Sequence, residues 1–314
     1  MNNTYQKWKK IGLIFDPARL GLSWMKTHAQ NPMPEHLGGG VFKVYFATRD
    51  SFNRSRGGFF VFDIDRPFDI LEQSQEPLID LGPLGAFDDA GVMPSALIDH
   101  QASRYLYYTG WSRTVDVPFA FHIGLVVSND GGKTYYRPSL APVLGRNRND
   151  PYITSAPFVL IEGGVFKMWY ISGTGWMKET AAAKPKHFYT VKYAESSDGL
   201  DWITNSDLCL EYQAQEYAIA RPIVRKLPDG LYEMWFTFRG GTQTYRLGIA
   251  SSLDGRNWER SPTPVGIHVS RAGWDSEMIC YGYPFEHNGV LYALYNGNSY
   301  GAAGIGLAAL TDDL

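Results

Sequence analysis

Through most of the chain, apolar and polar residues alternate in short runs, the pattern of strands with one buried face, and Gly, Pro, Asn and Asp punctuate the runs. Stretches such as VFKVYFATRD, YLYYTGW, VFKMWYISG and LYEMWFTF are aromatic-rich and too short for packed helices. No apolar repeat of helical period has useful length. WMKETAAAKPKHF, around Met177 to His187, is the one plausible helix or loop excursion, and Pro185 limits it. The pattern predicts an all-β protein of antiparallel hairpins.

The strands recur in a fixed order. GVMPSALIDHQASRYLYYTGW, TSAPFVLIEGGVFKMWYISGTGW, IARPIVRKLPDGLYEMWFTFRGG and CYGYPFEHNGVLYALYNGNSYG share a Pro or Gly landmark, an apolar strand, a Gly-containing turn and an aromatic strand. Their landmarks, Pro94, Pro157, Pro222 and Gly282, are 63, 65 and 60 residues apart. HLGGGVFKVYFATRD supplies an earlier copy with its landmark near Met33, which makes five. A second hairpin follows in GLVVSNDGGKTYYRP, KYAESSDGLDWI and GIASSLDGRNWERSP, where Asp-Gly suits a turn that needs positive φ. Each copy therefore holds about four antiparallel strands, and residues 1–314 are expected to form one five-bladed β-propeller domain. The last copy stops after three strands at GIGLAALTDDL. YQKWKKIGLIF, with Trp8 matching Trp258, supplies the fourth, so the N-terminal strand closes the last blade.

Composition narrows the function. With 29 Lys and Arg against 32 Asp and Glu, the formal charge is -3, which argues against nucleic acid as a partner. The apolar stretch Ile11 to Phe15 is too brief for a signal-peptide core or a membrane span, so a soluble, cytoplasmic protein with no membrane partner is expected. Cys209 and Cys280 are too few and too separated for a zinc module or a disulfide scaffold and read as buried thiols. No Walker, GxGxxG, HExxH or GxSxG motif occurs, and no cofactor or metal is expected from any motif, a ring of carboxylates that could hold Ca²⁺ in the channel being the one alternative left open.

In a propeller, the starts of the inner strands and the loops after the second strands share one face and converge on one cavity. Five to seven residues before the landmarks lie His28, Asp88 and Asp89, Asp150, Glu216, and Asp275 and Glu277. A ring of inward carboxyl groups suits glycosyl transfer, which needs one protonated and one ionised carboxyl group. Turn capping at Asp88 and Asp150 is the competing reading. Trp111 and Trp176 hold matching loop positions where a sugar ring would stack, although tryptophans there also cover blade junctions. Arg49, Arg239, Asn296 and Asn298 offer donors to hydroxyl, carboxylate or phosphate groups, and Arg221 precedes its landmark proline as a tuning partner for the acids.

These repeats, with the SxDGxxW turns at Asp198 to Trp202 and Asp254 to Trp258, resemble the five-bladed propeller glycosidases, the group of glycoside hydrolase family 43 and its relatives in families 32, 62, 68 and 130. The resemblance spans essentially the whole chain. It implies a base from blade 1, a pKa-modulating Asp from a middle blade and an acid Glu from a later one. Asp150 is similar in position to the modulating Asp and Glu216 to the acid. Blade 1 departs, carrying THAQNPMP with His28 and Gln30, and its nearest upstream acid is Asp16. Asp89 and Glu277 are then alternative acid or base candidates. The expected set is Asp89, Asp150, Glu216 and Glu277 for catalysis, converging on one cavity with Arg221, and His28, Arg49, Trp111, Trp176, Arg221, Arg239, Asn296 and Asn298 for a carbohydrate ligand. The leading expectation is a glycoside hydrolase-like enzyme acting on a glycosidic or sugar-derived substrate by carboxylate acid/base chemistry in the central channel, with transfer or phosphorolysis, the arginines holding an anion, and carbohydrate binding without turnover as the alternatives.

Overall fold

The computed structural model describes residues 7–180 and 183–311. Strand β1 (Lys7–Phe15) is followed by a first antiparallel set, β2 (Thr27–Gly38), β3 (Val41–Arg49), β4 (Ser55–Asp63) and β5 (Arg66–Gln73). A second set holds β6 (Gly91–His100), β7 (Ser103–Ser112) and β8 (Ala120–Ser128), with the bridge Val127–Tyr136 at its outer edge. The third comprises β9 (Thr154–Glu162), β10 (Val165–Met177), β11 (Lys186–Ser196) and β12 (Ile203–Leu208). The fourth comprises β13 (Glu216–Lys226), β14 (Tyr232–Gly240), β15 (Gln243–Ser252) and β16 (Glu259–Arg260). β17 (Cys280–His287), β18 (Val290–Asn296) and β19 (Ile305–Thr311) make the fifth, in which β1 lies antiparallel to β19 from Lys7–Thr311 to Phe15–Ile305. The fold is an all-β propeller, closed as the sequence predicts by its N-terminal strand. The excursion after Met177 is the tip of the β10–β11 hairpin: Met177 pairs with Lys186 and the described residues between them carry no helix, while residues 181–182 lie outside the description.

Aromatic residues lock neighbouring sets together. Trp8 meets Trp235 edge to face at 5.6 Å, Trp258 meets Trp169 at 6.3 Å, and Trp202 meets Tyr107 at 5.9 Å. In each pair the first residue reaches back to the preceding set, so the tryptophan repeat marks the joints between sets. The Ser-x-Asp-Gly turns brace these joints. Gly199 and Gly255 adopt φ of 76° and 73°, a region that favours glycine. Their carbonyls thereby accept hydrogen bonds from the Tyr107 hydroxyl (2.8 Å) and the Trp169 indole (2.6 Å). Asp254 accepts the amides of Arg256 and Asn257, which hold its carboxyl well below the usual range.

The inner strands β2, β6, β9, β13 and β17 share another device. In four of them the residue before the landmark has positive φ: Asn31 (58°), Ala156 (45°), Arg221 (52°) and Tyr281 (55°). Pairing registers shift at these points, so the strands bulge and turn that residue out of the pleat. The first copy's landmark is accordingly Pro32, one residue before the position expected near Met33.

Candidate functional site

The bulges frame a cavity of about 250 Å³ into which all five inner strands project. Gln30 and Asn31 come from β2, Met93 from β6, Ala156 from β9, Arg221 from β13 and Tyr281 from β17. Five of the eleven non-glycine positive-φ residues among the described residues line this space, the fifth being Tyr300 at 62°. Tyr300 belongs to α1 (Asn298–Gly301), a short turn between β18 and β19 in which Ser299 and Tyr300 are both left-handed. A left-handed L-residue costs roughly 1–2 kcal/mol, and such strain gathers where a fold holds side chains for use.

One wall is aromatic. Phe119 and Phe121 stack at 4.1 Å, Phe119 lies 5.2 Å from His187, and His187 stacks on Tyr189 at 4.7 Å. Burial, aided by the nearby Arg239 charge, pulls His187 down to about 3, so its imidazole is neutral at pH 7. Burial likewise holds the Tyr189, Tyr245 and Tyr281 phenols above their ordinary values, leaving them protonated donors.

The charge in the cavity comes from arginines. Arg239, on β14, donates to the hydroxyls of Tyr300 (3.0 Å) and Tyr189 (3.2 Å), and its guanidinium lies 4.7 Å from the Tyr245 ring centre. The Tyr189 and Tyr245 hydroxyls meet each other as well. Arg49, at the corresponding end of β3, donates to Gln30 (3.1 Å) and Asn53 (2.9 Å). Arg221 is buried across the axis, and its guanidinium faces the backbone carbonyls of Asn31 (3.2 Å), Pro32 (3.4 Å) and Ser95 (3.5 Å). Burial pulls it down to about 10, where it still carries its charge at pH 7. Among the described residues none of the three forms a salt bridge, and no Asp or Glu lines the cavity.

The four carboxylates expected to converge there do not meet. Asp150 is fully buried beside Lys192 (3.3 Å) and accepts from the Tyr170 hydroxyl (3.0 Å). Glu216 receives both Nη atoms of Arg260 (2.6 and 2.9 Å), and Arg260 lies over the Phe236 ring. The same arrangement joins Asp88 to Tyr108 and Arg137, and Asp275 to Tyr295 and Lys10. In all four the acid precedes its aromatic partner by 20 residues, Glu216 and Phe236 included. The recurrence of acids at this register is therefore an ion-pair latch, one in each of four sets, which ties the approach to the inner strand to a base on the third strand or beyond and, in three of the four, to a tyrosine hydroxyl on the second strand. Asp89 accepts the Gly85 amide (3.0 Å) in the β5–β6 loop, and Glu277 is exposed. Asp16 caps the short 3-10 turn Pro17–Leu20.

Arg49, Arg221 and Arg239 line the cavity. His28 sits beside it, pulled down to about 4 by burial and by Arg49. Trp176 backs the aromatic wall, 5.0 Å from His187 and 5.4 Å from Phe119. Trp111 instead donates to Ser55 (2.7 Å) at the joint of the first two sets. Asn296 is buried as a clamp, accepting from the Asn31 amide (3.0 Å) and donating to the carbonyls of Ala29 (2.7 Å) and Gly304 (2.8 Å). Asn298 accepts the Glu277 and Met278 amides and orders that loop. The tyrosines, His187 and Asn31 were not singled out from sequence. For Asn31 and Tyr281 the available signal was the position immediately before the landmark, which faces the axis; His187, Tyr189, Tyr245 and Tyr300 carry no such mark.

Several known proteins share this architecture. No family model matches the sequence. A structure titled "Glycoside hydrolase" superposes with a TM-score of 0.77 at 16% identity, covering 98% of this chain and 93% of that one. An RGII complex of BT0996 gives 0.75 at 17%, covering 98% and 92%. A thermostable family-43 glycoside hydrolase gives 0.64 at 14%, covering 90% and 88%. The fold is thus that of the propeller glycoside hydrolases. Over 304 residues the sequence is 38% identical to "Uncharacterized protein Rv1502" and equally to "Uncharacterized protein MT1551", from two strains of Mycobacterium tuberculosis, covering 96% of this chain and 99% of each relative. At that identity and coverage, this protein belongs to the family of these two mycobacterial proteins.

Proposed function

We propose that the axial cavity is a carbohydrate site in a single 1–314 domain whose five strand sets are five blades. The observation that carries this reading is a monosaccharide-sized space with an aromatic wall at Phe119, Phe121 and His187 and hydroxyl and guanidinium donors around it. Such a wall matches the apolar face of a sugar ring, and fixed donors match its hydroxyls. Burial of both free cysteines is in keeping with a cytoplasmic protein. No helix among the described residues is long and apolar enough to cross a membrane.

The glycoside hydrolase fold favours glycosidase-like turnover as a second reading. Its acid and base would have to be Asp89 and Glu277, the two expected carboxylates that form no ion pair among the described residues. Asp150 and Glu216 are latched outside the cavity, which speaks against the usual pair. Titration calorimetry with a panel of monosaccharides and oligosaccharides tests the site. Binding should survive Asp150→Asn and Glu216→Gln and fall about two- to tenfold in Phe119→Ala, a loss of one stacking contact. Binding unchanged in Phe119→Ala rejects the cavity as the sugar site. Turnover by the native protein that disappears in Asp89→Asn or Glu277→Gln establishes the second reading.

A further inference from the structure

Three arginines reach this cavity with no carboxylate among the described residues to balance them, and that imbalance says what kind of sugar it takes. Arg49 and Arg239 approach from the first and fourth sets, and Arg221 lies buried at the axis. Their protein partners are neutral: Gln30 and Asn53 for Arg49, the hydroxyls of Tyr189 and Tyr300 for Arg239, and backbone carbonyls for Arg221. The Nε atoms of Arg221 and Arg239 are buried without a hydrogen-bond partner among the described residues. Elsewhere in the same molecule, buried or half-buried bases meet acids: Arg137 with Asp88, Lys192 with Asp150, Arg260 with Glu216, and Lys10 with Asp275. Buried charge is costly unless paired, and planar guanidinium groups match carboxylate and phosphate oxygens.

Resting on the carbohydrate reading above, we infer that the natural ligand is an anionic sugar, one bearing a carboxylate or phosphate that Arg49 and Arg239 receive while Phe119 and His187 cover the ring. The anion supplies the missing counter-charge. Among the described residues the Arg239 Nε has no partner, and the Tyr245 and Tyr300 hydroxyls line the same cavity as further donors.

Calorimetry on the full-length native protein tests this with glucose, glucuronic acid, glucose 6-phosphate and inorganic phosphate. The charged sugars should bind at least about tenfold tighter than glucose, and raising salt from about 0.05 to 0.5 M should erode that preference, as screening requires. The stronger of the two charged sugars identifies the group, and weaker binding of inorganic phosphate indicates that the ring contributes. Arg239→Gln and Arg49→Gln should abolish the preference while Arg239→Lys keeps part of it. The salt titration needs no variant and stands if a substituted protein does not fold. Equal binding of glucose and the charged sugars overturns the inference and leaves the carbohydrate site standing. Binding of no sugar, charged or neutral, overturns both.

Discussion

Asp150→Asn separates a latch from a catalytic acid most sharply. Asp150 has no exposed surface, Lys192 is 6% exposed beside it, and Tyr170 donates to its carboxylate. The substitution keeps the shape but leaves the Lys192 ammonium with only the Asn149 carbonyl (2.5 Å) and a neutral amide for company. Removing one partner of a buried pair costs about 3–5 kcal/mol, and the isosteric Asn should sit near 3 kcal/mol. Unfolding entropy of about 2.1 cal/mol/K per residue gives roughly 0.7 kcal/mol/K over 314 residues, so Tm should fall by about 4–5 °C. Differential scanning calorimetry measures that drop, and sugar titration of the folded variant should give the native affinity. A native Tm combined with lost binding or turnover would refute the latch and return Asp150 to the active site.

Other consequences of the same architecture are open to measurement. Asn296→Ala removes three hydrogen bonds, two that join the fifth set to Ala29 and Asn31 of the first and one to Gly304 within the fifth, and should cost about 2–4 kcal/mol by urea unfolding, with earlier proteolysis near the joint of these two sets. Asp254→Ala frees the amides of Arg256 and Asn257 and should cost about 1 kcal/mol, whereas Asp229→Ala, which releases the single Leu231 amide, should cost less. Acid should weaken the fold early. His28 and His187 are pulled below the ordinary histidine value, to about 4 and about 3, so below pH 6.5 the unfolded state takes up protons the folded one refuses. Stability should therefore decline from pH 6.5 toward 3, and His187→Gln should flatten that slope; an unchanged slope would show that His187 is not buried neutral.

The sequence carried the fold because its repeat is physical at each position: the landmark marks a bulge, the Asp-Gly a turn and the following Trp an inter-set contact. Closure by Trp8 was legible for the same reason, since that residue makes the contact to Trp235 that Trp258 makes to Trp169. The site was harder to read. Acids recur before the inner strands in four sets, and periodicity alone does not say whether such an acid faces the axis or its own blade. The distinguishing sign was the aromatic residue 20 positions on: Tyr108, Tyr170 and Tyr295 donate their hydroxyls to the acid, and Phe236 packs against the acid's basic partner. Arg49, Arg221 and Arg239 were legible because loop ends and landmark neighbours face the cavity in any propeller. The tyrosines were not, since Tyr245 and Tyr300 come from the third strand and a left-handed turn, outside the repeated registers.

The most direct measurement is a crystal structure of the protein soaked with a charged monosaccharide. The predicted density is one sugar ring against Phe119 and His187 with its anionic group between Arg49 and Arg239. A sugar bound elsewhere, above all one held between Asp89 and Glu277 with the axial cavity empty, would contradict the assignment of the site.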